Sequence, residues 1–131
     1  MVCFDTDFMV ALLRGKAEAV KKAEEIENRK ERKTTTPISA FELFMGANLS
    51  THQSENVKLV SDFLRTLEIL SFDLASAEKA GEIEAELRKS GKPIGIRDTM
   101  IAGIALTHGQ RIITKNVKHF SQVCGLSYES W

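Results

Sequence analysis

Long hydrophobic runs are missing from this sequence, as are cysteine clusters, internal repeats and any excess of charge of one sign. No apolar stretch approaches the roughly 20 residues needed to span a bilayer as a helix, so a membrane role is not expected. The N-terminus carries Asp5 and Asp7 within its apolar stretch and has no basic segment ahead of it, so it does not read as a signal peptide, and the cytoplasm is the expected compartment. There are only two cysteines, Cys3 and Cys124, and neither belongs to a CxxC or Cys/His cluster. That leaves zinc-site and thioredoxin-like chemistry without support and suggests two reduced, structural thiols. The formal net charge of zero argues against a protein that coats nucleic acid non-specifically. No low-complexity tract or linker interrupts the 131 residues, which are enough for one domain, residues 1–131, with a core of its own.

What is present is unevenly placed. Residues 88–118 hold seven Lys and Arg (Arg88, Lys89, Lys92, Arg97, Arg111, Lys115, Lys118) and a single acid, Asp98, whereas residues 34–87 hold three bases and nine acids. One acid within a basic stretch is consistent with a phosphate-binding surface around a metal ligand, or with solvated loops and helix ends.

Val2-Cys3-Phe4 reads as a buried strand that stops at Asp5-Thr6-Asp7. Phe8, Leu12 and Leu13 share a short helix closed by Arg14-Gly15, and Lys16 to Arg32 reads as an exposed amphipathic helix. Thr34, Thr35 and Thr36 favour a short strand over Lys33 to Ile38. Helices are expected from Ser39 to about Leu49 and from Gln53 to Leu67, a strand over Glu68 to Phe72, and a helix from an Asp73 cap to Ser90. Arg97 to His108 reads as a buried helix and Arg111 to Thr114 as a central strand, followed by a turn and an edge segment around Val123 to Tyr128. Strands alternating with helices predict an α/β protein, a three-layer α/β/α sandwich on a mainly parallel sheet of about four strands or slightly more.

Three carboxylates carry the functional reading. Asp5 ends the first strand, and ligands of open α/β sheets bind outside the carboxyl ends of their strands. Asp98 has Ile101, Ala102 and Ala105 at i+3, i+4 and i+7, and Glu42 has Met45, Gly46 and Leu49 at the same offsets, so each acid lies on the apolar side of a helix. A buried unpaired carboxylate is costly, and several together repel unless a divalent cation lies among them. Mg²⁺ or Mn²⁺ suits such an oxygen-rich set. Each acid also has a plainer reading. Ser39 and Glu42 match a capping box, Asp7 or Asp5 fits a helix N-cap, and Asp98 fits the favourable first turn of a helix.

Asp5-Thr6 after an apolar strand, Ser39 with Glu42 opening a helix, Gly95-Ile96-Arg97-Asp98-Thr99-Met100-Ile101-Ala102, and Ile113-Thr114-Lys115-Asn116 followed by Phe120 together resemble the ordered signature of the PIN-domain family. Within it the chain most resembles the VapC-type toxins of toxin–antitoxin pairs. The resemblance implies a metal-dependent ribonuclease with an α/β/α fold, a homodimer, held inactive by a small antitoxin whose tail covers the active site. It also implies Asp5, Glu42 and Asp98 as metal-binding acids. The family's fourth acidic position falls on Asn116 and an often acidic position falls on His119, so a second metal is expected to bind weakly or not at all.

The expected chemistry is hydrolysis of an RNA phosphodiester by a metal-activated water in line with the leaving 3′ oxygen. Thr6 and Thr114 are expected to support the acids, Asn116 to offer a carbonyl oxygen or hold a water, and Arg97 and Lys115 to contact phosphates. His119 is a candidate proton donor whose plainer reading is ordinary surface. Two alternatives stand beside this. One is a PIN-like module that only binds RNA or protein. The other rests on the likeness of Asp5-Thr6-Asp7 to the DxD nucleophile of haloacid-dehalogenase-type phosphatases, a fold for which the chain is short and lacks a clear downstream acidic pair.

Overall fold

Val2, Cys3 and Phe4 form the strand at the middle of the sheet, and all three side chains are buried. A computed structural model describes residues 1–131. In chain order its elements are β1 (Val2–Phe4), α1 (Thr6–Leu13), α2 (Ala17–Asn28), β2 (Lys33–Thr35), α3 (Pro37–Asn48), α4 (Gln53–Leu64), β3 (Glu68–Ile69), α5 (Leu74–Lys89), α6 (Ile96–Thr107), β4 (Arg111–Ile113), α7 (Val117–Phe120) and β5 (Tyr128–Glu129). The five strands run in the order β3-β2-β1-β4-β5 and every pairing is parallel. Parallel sheets need cover on both faces, and this one has it. Val2, Phe4 and Ile113 join Phe8, Met9, Ile26, Leu43 and Val60 from α1 to α4. Ile112 meets Ile83, Leu87, Ile101, Ala102 and Phe120 from α5, α6 and α7 on the other side, while Cys3 packs with Leu70 and Ile104. The expected three-layer α/β/α sandwich is the observed architecture.

Several local features explain these elements. The buried hydroxyls of Thr34 and Thr35 donate to the carbonyls of Val2 and Phe4 at 2.7 and 2.8 Å, so β2 satisfies its polar side chains on the neighbouring strand. Asp73 caps α5 as expected, accepting from the Ser76 N–H at 2.9 Å. At Gly103 of α6 a Cβ would lie 2.8 Å from Ala80 Cβ and 2.9 Å from that residue's Cα and N, so only glycine permits this approach of α5 and α6.

Some expectations are corrected. The strand expected over Lys33 to Ile38 ends at Thr35, because Thr36 is the N-cap of α3 and Pro37 occupies its first turn. The strand expected over Glu68 to Phe72 is two residues long, and of the edge segment expected around Val123 to Tyr128 only its end is strand, at Tyr128–Glu129. The Lys115 to Phe120 turn contains the short helix α7, too brief to show a helical period. Cys3 is buried, and burial pushes its thiol up to about 12, whereas Cys124 is exposed and fills no core position.

Candidate active site

Strand order places the site. Successive connections from β1 lead first to β2 on one side and later to β4 on the other, so the crevice at the carboxyl ends of β1 and β4 is the switch point of the sheet. Asp5 leaves β1 there and Thr114 to Asn116 leave β4 beside it. The Asp5 N–H still donates to the Ile113 carbonyl at 3.1 Å, which holds the two strand ends in register.

Asp5 is buried, only 5% exposed. It is the N-cap of α1, its Oδ1 accepting from the Thr6 N–H at 2.8 Å and its Oδ2 from the Thr114 hydroxyl at 2.7 Å. The capping role expected for Asp7 therefore falls to Asp5, because the chain turns into the helix directly from the strand. Burial, then the negative charges of Asp7 and Asp98, push the Asp5 carboxyl up from its ordinary 3.8 to about 7, against the pull of its hydrogen bonds. No Lys or Arg pairs with it.

Asp7 is a member of this cluster that the cap reading concealed. Its Oδ2 accepts from the Lys115 N–H at 3.0 Å and lies 3.4 Å from the Thr114 hydroxyl, while its Oδ1 is buried without a partner. Burial raises its pKa, opposed chiefly by the Lys115 N–H. The sequence signal was the D-x-D spacing, which sets both acids at one strand end.

Glu42 does not close a capping box. The N-cap of α3 is Thr36, whose hydroxyl accepts from the Ser39 N–H at 3.0 Å, so Ser39 lies inside the helix. Glu42 is freed to reach across to α1, where its Oε1 accepts from the Thr6 hydroxyl at 2.9 Å. Its Oε2 stands 3.7 Å from the Arg97 guanidinium, which lies over the exposed Phe41 ring at 5.4 Å. Thr6 thus joins the Asp5 cap to Glu42.

Asp98 stands in the first turn of α6 with one-fifth of its side chain exposed. Asn116 Nδ2 donates to its Oδ2 at 2.9 Å and His119 Nδ1 lies 2.7 Å from the same oxygen. Asn116 is itself fixed by its own N–H, which donates to the Thr114 hydroxyl oxygen at 2.8 Å. His119, a candidate proton donor whose plainer reading was ordinary surface, is in contact with one of the three predicted acids.

Lys115 is engaged elsewhere. Its ammonium pairs with Glu18 at 2.9 Å and sits 4.2 Å from the centre of the Trp131 ring. Beside it lies a groove of about 580 Å³ lined by Asp7, Arg14, Lys16, Glu18 and Trp131 among others. The basic stretch of residues 88–118 does not form one surface, since Arg88 pairs with Glu84, and Arg111, at the start of β4, pairs with Glu31 and Glu129.

The acids ring one crevice without closing on each other: no three His, Cys, Asp or Glu side chains stand close enough to form a complete metal-ligand set. Their chemistry nonetheless fits a hard cation. Mg²⁺ is commonly held by only one or two carboxylates and keeps several waters, and Asp5 and Asp98 are two carboxylates of which neither pairs with a Lys or Arg.

The chain has relatives among known proteins. The PIN domain profile matches residues 2–126. The chain is similar to the tRNA(fMet)-specific endonuclease VapC of Shigella flexneri, 32% identical over 127 residues that cover 97% of this chain and 95% of that one. It is also similar to ribonuclease VapC2 of Haemophilus influenzae, 37% identical over 94 residues, 72% of this chain and 71% of that one. Among solved structures, DNA-bound VapBC from Salmonella typhimurium superposes with a TM-score of 0.90 at 32% identity, covering 100% of this chain and 99% of that one. Promoter-bound VapBC2 from Rickettsia felis gives 0.91 at 26% identity with the same coverage. With its central parallel sheet, its acids at the switch point and these relatives over its full length, the chain belongs to the PIN-domain family, among its VapC-type ribonucleases.

Proposed function

We propose that this chain cleaves RNA phosphodiester bonds in a reaction that depends on Mg²⁺ or Mn²⁺, with Asp5 and Asp98 as the residues that hold the ion and Glu42 as a further ligand or the group that orients the attacking water. The observation that carries this reading is Asp5 itself: a buried carboxyl pushed up to about 7 beside two further acids, without a cationic partner. A residue kept in that state destabilises the protein at neutral pH unless something positive binds there. When bound, a divalent ion supplies Lewis acidity toward the scissile phosphate and a nucleophilic water at neutral pH.

The remaining residues prepare that site. Thr114 and the Thr6 N–H direct both Asp5 oxygens, and the Thr6 hydroxyl orients Glu42. Arg97, half exposed and loosely held 3.7 Å from Glu42, is free to swing onto a phosphate. Lys115 contacts phosphate only after leaving Glu18. By likeness to the VapBC assemblies, a small cognate antitoxin is the partner that blocks the crevice, a homodimer is the working form, and the cytoplasm is where it acts. No helix of the chain is long and apolar enough to cross a membrane.

The test is cleavage of a mixed small-RNA pool by the purified chain, freed of any copurifying partner, in Mn²⁺, in Mg²⁺ and in EDTA, beside Asp5→Ala and Asp98→Asn. Cuts that need the metal and are lost in both variants are the expected result. Folded, partner-free protein that binds RNA equally with and without metal and never cuts it overturns the proposal in favour of a binding module, the reading that Asn116 in an acidic position favours.

A further inference from the structure

Asp98 accepts all of its side-chain hydrogen bonds on a single oxygen. Asn116 Nδ2 and His119 Nδ1 both approach Oδ2, at 2.9 and 2.7 Å, and no protein group donates to Oδ1. The two nitrogens are also 2.9 Å apart, a contact that is a hydrogen bond only if Nδ1 carries no proton. A lone pair on Nδ1 at 2.7 Å from a carboxylate oxygen is repulsive, so the proton belongs on Nδ1 and His119 donates. Asn116 has a rigid foundation, since its backbone N–H is bound to Thr114, whose hydroxyl in turn donates to Asp5. His119 lies one turn further on the short helix α7, next to the fully buried Phe120 that anchors it.

Resting on the metal-dependent reading above, we propose that Asn116 and His119 act as positioning residues, a two-donor clamp that immobilises Oδ2 of Asp98 and leaves Oδ1 as its single oxygen for one divalent cation. Two consequences follow from the chemistry. A carboxylate in the first turn of a helix is free to rotate about its terminal torsion, and two donors on one oxygen remove that freedom. The positions that carry the clamp contribute no negative charge, so they add no ligand for a second cation.

The experiment is Mn²⁺ binding without RNA, followed by calorimetry and by the spin-resonance signal of the free ion, on the wild type, His119→Ala, His119→Asn and Asn116→Asp, with thermal unfolding of each as a check of folding. His119 is 40% exposed, so its truncation leaves the core intact. The wild type is expected to bind one Mn²⁺. His119→Ala should weaken it by about 10-fold or more, the typical effect of removing a group that orients a ligand. His119→Asn, whose amide nitrogen replaces Nδ1, should recover most of that loss. Asn116→Asp should add a second, weaker equivalent. Unchanged affinity in His119→Ala, or failure of His119→Asn to recover it, overturns the clamp, and two equal ions in the wild type overturn the single site. A wild type that binds no Mn²⁺ overturns the metal-dependent reading beneath the proposal, an outcome distinct from the others.

Discussion

The two ends of the sheet treat acidic residues in opposite ways. Around Arg111, at the start of β4, each acid in contact has a cation, and Glu129 reaches back to it from the end of β5. Arg111 holds Glu31 at 2.8 Å and Glu129 at 2.8 Å, the N-terminal amine reaches Glu31, and Lys22 and Arg29 also close on Glu129. Lys22 and Arg111 together overcome desolvation there and hold the Glu129 carboxyl down at about 2. At the carboxyl ends, Asp5 and Asp7 share the Thr114 hydroxyl and each accepts from a backbone N–H, but neither pairs with a Lys or Arg side chain, and Asp5 is pushed up to about 7. One end is built to be stable alone; the other is left electrostatically incomplete. Perturbed carboxyls without a paired cation cluster at functional sites.

The sharpest way to break that contrast is mechanical, because α6 holds Asp98 at the acidic end by packing rather than by charge. Gly103→Ala puts a methyl group 2.8 to 2.9 Å from Ala80, including its backbone, and is expected to destabilise the fold by about 1–3 kcal/mol. Urea unfolding measures this. Cleavage at temperatures where the variant stays folded should also fall, as Asp98 moves with its helix.

Next comes Asp5 alone. Its folded pKa is raised, so the stability tied to its protonated form is fully present below 3.8 and is lost as pH climbs through about 7. Without metal, melting temperature is therefore expected to fall across that window, and Mn²⁺ should restore it near neutrality by binding the ionised form. Asp5→Asn should flatten the slope and stabilise the metal-free protein at pH 7 by about 2 kcal/mol, while abolishing cleavage. A steady melting temperature across the window in the wild type would contradict the raised pKa.

The smallest effect is expected at the paired end. Glu129 has a depressed pKa, so its contribution is present above 4.5 and disappears as pH drops through about 2. Arg111→Ala leaves Lys22 and Arg29 on Glu129, and a partly exposed pair is worth little, so a loss of about 1 kcal/mol is expected, shrinking in high salt. RNA cleavage should be untouched. A large loss of activity in this variant would mean that the two ends are coupled, and the comparison would fail.

Much of the site was legible in the residues. The apolar run ending at Asp5, the acid on the apolar side of the Asp98 helix and the Thr114-Lys115-Asn116 exit from a buried strand are local patterns, and all three reach the same crevice. The misreadings share one cause. Ser39 and Glu42 fit a capping box on local spacing, yet Thr36 takes the cap and Glu42 bonds Thr6, 36 residues away. Asp7 and His119 looked like a cap and a surface residue because their partners, Lys115 and Asp98, are distant in sequence. The basic stretch looked continuous because sequence does not reveal that Arg111 starts its strand while Lys115 follows that strand's end.

By itself the sequence determined the alternation of strands and helices, the parallel sheet that such alternation requires, and the acids at strand and helix termini, because periodicity and chain breaks act over a few residues. Only the tertiary structure decided that β1 lies between β2 and β4, and hence that Thr114 meets Asp5 and that His119 and Asn116 meet on one oxygen of Asp98. Those contacts depend on strand order and register, which are settled by how two hydrophobic faces close over one sheet and not by any short stretch of the chain.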